Sequence, residues 1–102
     1  MSDRAVTNTA CLIALETVGR IDLLARVFEA VTAPPEVIAE FGSEPPGVVV
    51  QQVTDTRLLR SLRTQAHLGE AATIALAMES DVEWVILDDR KPRRIARQLV
   101  LA

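Results

Sequence analysis

The segment LGEAATIALAM, residues 68–78, sets the first constraint on the fold. It is alanine-rich and apolar nearly all round, so as a helix it has no face to give to water and must be enclosed on more than one side. Shortly after it, Trp84 to Leu87 form an apolar run with no alternation. That is the pattern of a central parallel strand covered on both faces. An enclosed helix beside a doubly covered strand calls for a layered α/β domain.

The rest of the chain fits the same reading. Ala5 to Asn8 reads as a short strand, and Thr9 as the N-cap of a helix carrying Leu12, Ile13, Leu15 and Val18 until Gly19 stops it. A second short helix puts Ile21, Leu24, Val27 and Phe28 on one face. Ala30 to Ala33 reads as a strand. Pro34-Pro35 then opens a helix that buries Val37, Ile38 and Phe41 and ends at Gly42. Ser43 to Gly47 is a loop, and Val48 to Val53 a strand rich in β-branched residues. Thr54 or Asp55 caps a helix with Leu58, Leu59 and Leu62 inward and Arg57, Arg60 and Arg63 on its wetter side. Arg93 to Leu101 returns to helix. The alternation of strands and helices predicts a mostly parallel sheet with helices on both faces, whose functional crevice lies at the carboxyl ends of the strands.

Length and composition set the boundaries. The 102 residues amount to one small domain, and a hydrophobic fraction of 49% with few aromatics gives an aliphatic core. No apolar run reaches the ~20 residues that span a bilayer, and MSDRAVTNT lacks a signal-peptide pattern, so cytoplasm and no membrane association are expected. A lone cysteine, Cys11, forms no internal disulfide and reads as a small buried hydrophobe. Trp84 is expected in the core, with base stacking the alternative if it is exposed. The net charge of −3 argues against wholesale nucleic-acid binding. The distribution is uneven, however: Arg57, Arg60 and Arg63 form one basic group, and Arg90, Lys91, Arg93, Arg94 and Arg97 another.

Each acid has a structural explanation when taken alone. Glu70 sits in the first turn of the alanine-rich helix, where the macrodipole favours a carboxylate. Glu36 and Glu40 read as surface glutamates one helical turn apart. Asp88 and Asp89 could be a turn salt-bridged to the arginines that follow, and Asn8 a strand-end turn residue. Together, however, the topology gathers Asn8, Glu70, Asp88 and Asp89 on one side of the sheet. Two carboxylates about 4 Å apart repel by roughly 4 kcal/mol at an effective dielectric near 20. A cluster of them therefore invites protonation or a cation, and oxygen ligands without His or Cys select a hard ion, Mg²⁺ or Mn²⁺. Such ions in acidic clusters commonly hold phosphodiesters and activate water. His67, the sole histidine, could serve as a general base or simply precede the helix.

Three stretches carry a family resemblance: VTNTACLIALETVGRIDLL, APPEVIAEF and LGEAATIALAMESDVEWVILDDRKPRRIA. The chain resembles PIN-domain proteins, in the branch of short prokaryotic nucleic-acid-binding proteins related to VapC-type toxins. The resemblance implies a three-layer α/β domain with a mostly parallel sheet, and a divalent-metal-dependent ribonuclease acting as a toxin held by an antitoxin protein. It carries the family's acidic positions onto Asn8, Glu40, Glu70 and Asp88 or Asp89, with Asp89 favoured by its distance past the strand. Glu40, Glu70 and Asp89 are thereby the expected catalytic residues. These three, with Asn8 and Asp88, form the expected Mg²⁺ or Mn²⁺ set. Thr9 matches a hydroxyl position beside the first acid, and Thr9, Arg90, Lys91, Arg93 and Arg94 are expected to contact RNA.

Two departures qualify the expectation. Asparagine stands at position 8 where the family has aspartate, which removes one negative charge and should lower metal affinity. The usual C-terminal strand and helix of the family also find no counterpart before Ala102, which leaves a sheet edge expected to pair in a homodimer. The alternative is a catalytically inactive PIN-like module that binds protein or RNA. A third reading is an unrelated α/β interaction domain whose acids never meet.

Overall fold

The computed structural model describes residues 3–80, 82 and 84–86. Over these the chain runs β1 (Arg4–Thr7), α1 (Thr9–Thr17), α2 (Leu23–Val27), β2 (Ala30–Ala33), α3 (Pro35–Phe41), β3 (Val48–Val50), α4 (Thr56–Leu62), α5 (Leu68–Glu79) and β4 (Trp84–Ile86). The expected helix at Arg93–Leu101 lies outside the described residues, as do Asp88, Asp89 and the cations that follow them.

The strands form one sheet in the order β3-β2-β1-β4, and every pairing is parallel. Ala5 stands opposite Val31 and Trp84, and Val6 opposite Thr32 and Val85. Successive side chains point to opposite faces, so this register sorts the sheet into two cores. Val6 and Val85 face α4 and α5, where they meet Leu62, Ile74 and Leu76. Val31, Ala33, Val48 and Ile86 face α1, α2 and α3 through Leu12, Leu24 and Val37. The result is the expected three-layer arrangement, helices on both sides of a parallel sheet.

Helix α5 is enclosed as its sequence demands. Gly69 and every residue from Ala71 to Ala77 are buried, and it meets α3, α4, β1 and β4. Alanines let the neighbouring elements approach closely. The one polar side chain within that buried run is satisfied, because the Thr73 hydroxyl donates to the Gly69 carbonyl at 2.8 Å.

Helix ends follow local chemistry. Helix α1 closes with the Gly19 N–H on the Glu16 carbonyl and the Arg20 N–H on the Leu15 carbonyl, at 3.0 and 2.8 Å, around Gly19 at φ 69°. That paired closure is the Schellman motif, and it needs a left-handed residue at Gly19. Helix α3 starts at Pro35 and stops at Gly42, at φ 99°. Asp55 caps α4 by accepting the Leu58 N–H at 3.0 Å.

Several expectations require correction. The N-cap of α1 is Asn8, not Thr9, which is the first helical residue. Strand β3 is shorter than Val48–Val53, because after Gln51 the chain leaves the sheet and Val53 turns into the core between α4 and α5. Among the described residues strand β4 pairs only with β1 and is one of the two end strands, not a central one. Its unbroken apolar run instead reflects Val85 serving one core and Ile86 the other. Trp84, expected in the core, is 54% exposed, and its indole N–H donates to Asp3 Oδ2 at 3.3 Å. Ile13, Val18 and Val27 are exposed too, so α1 and α2 bury narrower faces than their sequences imply.

Candidate active site

The carboxyl end of β1 leads directly into the N-terminus of α1, and Asn8 is the junction. Asn8 is 2% exposed, and its Oδ1 accepts the Cys11 N–H at 3.0 Å. Its backbone N–H donates to the Ile86 carbonyl at 3.3 Å, which holds the carboxyl end of β4 beside it. The Asn8 carboxamide thus fulfils an N-cap role that asparagine performs as well as aspartate.

Helix α3 brings Glu40 to the same end of the sheet. The Thr9 hydroxyl donates to Glu40 Oε1 at 3.4 Å. On its other side the Glu40 carboxylate lies against the Gly69 backbone: a Cβ at position 69 would fall 1.7 Å from Oε1 and 2.9 Å from Cδ. Only glycine leaves room for the carboxylate there. Glu40 therefore sits at the N-terminal end of α5, where the partial positive charge of the helix favours an anion. Glu70, half-buried, occupies the first turn of the same helix.

A shallow cavity lined by Glu36, Ala39, Glu40, His67, Leu68 and Gly69 opens at this junction of α3 and α5. Glu36 Oε1 is buried with no hydrogen-bond partner. His67 is exposed at the N-cap position of α5 and makes no side-chain cap.

Of the expected site residues, Thr9 and Glu40 are in contact, with Glu40 packed on the residue that precedes Glu70 and Asn8 adjacent to Thr9. Asp88, Asp89, Arg90, Lys91, Arg93 and Arg94 lie outside the described residues. Among the described residues no group of three or more His, Cys, Asp or Glu side chains converges as a metal-binding cluster. Two residues of the site went unrecognised in the sequence. Glu36 reads there as a surface glutamate, although its spacing of four from Glu40 does set both on one helix face. Gly69 reads as an ordinary helix-start residue, since nothing local reveals that another helix's carboxylate needs its space.

A parallel three-layer α/β domain, with polar and acidic side chains gathered where strands end and helices begin, defines a class of crevice-bearing α/β proteins. A family model described as a PIN domain matches residues 4–102. The chain belongs to the PIN-domain family. No curated protein and no solved structure matches it. PIN domains are typically nucleases and generally use divalent metal ions, so nuclease-type hydrolysis is the class of function that membership carries.

The described residues supply part of the donor chemistry such an ion needs, without forming a complete cluster. A buried carboxylate oxygen without a donor is costly, and Glu36 Oε1 is that kind of atom, in the cavity Glu40 also lines. All the carboxylate donors here are hard oxygens, which suit Mg²⁺ or Mn²⁺.

Proposed function

We propose that the protein is a divalent-metal-dependent endoribonuclease of PIN type, the toxin component of a toxin–antitoxin pair. The observation that carries the reading is the seat of Glu40. Its carboxylate lies between the Thr9 hydroxyl and Gly69, at the carboxyl end of β1 and the N-terminus of α5. A carboxylate kept there at the expense of any side chain at position 69 is explained better by a ligand than by surface polarity.

In this reading Glu40, Glu70 and Asp89 hold Mg²⁺ or Mn²⁺, with Asn8 and Asp88 in support and Glu36 beside them. When bound, the ion supplies Lewis-acid polarisation of the phosphodiester and a water of lowered pKa. Thr9 orients the Glu40 carboxylate through its hydroxyl. Asn8, fixed by the Cys11 N–H, holds the start of α1 against the strand end. Arg90, Lys91, Arg93 and Arg94 neutralise the RNA backbone and set its register.

Glu70→Gln and Asp89→Asn test the assignment. Each is expected to abolish Mn²⁺-dependent cleavage of RNA while the melting temperature stays near wild type; full cleavage by both variants would overturn it.

The second reading, a catalytically inactive PIN-like module that binds protein or RNA, draws on Asn8. Position 8 offers a neutral carboxamide, and its oxygen is already engaged by the Cys11 N–H. Self-association is proposed as well, supported by Ile13 on α1 and Val18 at its C-cap, 49% and 67% exposed. Sedimentation velocity would report a dimer. Among the described residues no helix is long and apolar enough to cross a membrane, and cytoplasmic localisation remains part of the proposal.

A further inference from the structure

The segment from Thr56 to Gly69 holds three arginines and a histidine and contains no acid. Within a chain of net charge −3 this is a marked segregation. Arg57, Arg60 and Arg63 are all exposed along α4 and its C-cap. Elsewhere the cations are balanced differently: Arg20 and Arg26 both pair with Asp22, at 3.4 and 3.5 Å. The three arginines of α4 have no acidic partner among the described residues. The nearest acids at the start of the helix are committed to other groups. Asp55 Oδ1 accepts the Leu58 N–H, and the Glu79 carboxylate accepts from the Thr54 and Asp55 backbones and from the Thr54 hydroxyl.

Residues three apart on a helix are neighbours, so three guanidinium groups at this spacing repel one another. They are kept together with no acidic partner among the described residues to neutralise them. Their placement gives the row a direction. Helix α4 begins beside Glu79 at the C-terminal end of α5 and leads, through residues 64–67, to the N-terminal end of α5. The row therefore climbs toward His67, which lines the cavity with Glu36 and Glu40.

We infer that the outer face of α4, through Arg57, Arg60 and Arg63, is a phosphate track that delivers single-stranded RNA to the Glu40 cavity by way of His67. RNA fits better than an acidic protein segment because of what else this face offers. Leu58, Leu59 and Leu62 all turn into the core, and Ser61, Thr64 and Gln65 are the exposed neighbours. A protein interface is anchored by apolar and aromatic side chains. Phosphate contacts need only cations and polar donors. Arg57, nearest Asp55 and Glu79, contributes least; Arg60 and Arg63 contribute most. The inference rests on the nuclease reading for the choice of RNA as the cleaved substrate, but the track is a binding site in its own right.

The test measures binding by the full chain to a fluorescein-labelled single-stranded RNA of mixed sequence, in EDTA so that no cleavage occurs. The R57Q/R60Q/R63Q variant is expected to lose at least tenfold in affinity. Its log–log salt slope should shrink by about 2, since each single-strand phosphate contact contributes about 0.7. Lysine at all three positions should restore most of the binding, because a point charge still meets phosphate. All three side chains are exposed, so thermal melting should be unchanged. Wild-type affinity and slope in the glutamine variant would overturn the track, as would absence of RNA binding by the wild type. Arginine-dependent binding to polyglutamate at equal affinity would overturn it in favour of an acidic protein partner. Arginine-dependent binding without any Mn²⁺-dependent cleavage would leave the track standing and remove the nuclease reading. Cleavage undiminished in the glutamine variant would do the reverse.

Discussion

Gly69 and Glu40 compete for one small volume, and the missing side chain of the first is what admits the carboxylate of the second. Gly69→Ala therefore separates stability from function. In a helix, alanine is favoured over glycine by about 1 kcal/mol, and the clash falls on the end of a flexible side chain that can swing away. The variant is expected to melt at or above the wild-type temperature while Mn²⁺ affinity, followed by calorimetry, falls at least tenfold. Equal Mn²⁺ affinity in the variant would show that the seat of Glu40 is incidental. Asn8 provides the complementary case. Asp and Asn are equivalent N-caps, so Asn8→Asp should keep the fold and return the missing charge, raising Mn²⁺ affinity; an unchanged titration would contradict a role for position 8 in holding the ion. Glu40 and Glu70 are legible as candidates in the sequence through the family resemblance, whereas Glu36 reads there as a surface glutamate. The glycine that shapes the site is not legible, since its role depends on a carboxylate 29 residues away, and no local pattern encodes that meeting.

At the scale of elements, the join between α5 and α4 depends on Glu79. Its carboxylate accepts the Thr54 and Asp55 N–H groups at 2.7 and 3.1 Å, together with the Thr54 hydroxyl. One side chain thus fastens the end of the enclosed helix to the start of the basic one. Glu79→Ala is expected to cost about 1–2 kcal/mol, the low part of the range for charged hydrogen bonds because the group is exposed. Chemical denaturation should show that loss with an unchanged m-value; a loss below a few tenths of a kcal/mol would mean the clamp is ornamental. Much of this scale could be read from the chain. Ala30–Ala33, the proline start and glycine stop of α3, the Asp55 cap and the enclosed α5 all follow from local chemistry. What could not be read is lateral. The place of β4 at the end of the sheet formed by the described residues, the early end of β3 and the exposure of Trp84 are decided by which elements lie alongside. A strand that serves both cores from the edge has the same sequence as one at the centre.

For the molecule as a whole, two distributions coincide: Glu40 and Asn8 beside the carboxyl end of β1 and the N-terminal end of α5, and a row of arginines along α4, without an acidic partner among the described residues, leading toward them. Capping and the α5 dipole account for part of the first, whereas the second adds only mutual repulsion along α4. Both make sense if a hard cation and a polyanion meet at one edge of the sheet, which is the claim on which the functional reading depends. Calorimetric titration of the full chain with Mn²⁺ tests it most directly, with Glu40→Gln and Glu70→Gln titrated alongside. The expected result is a saturable site in the wild type whose affinity drops at least tenfold in each variant. A wild type that takes up no Mn²⁺, or binds it equally well with both carboxylates neutralised, would contradict the claim.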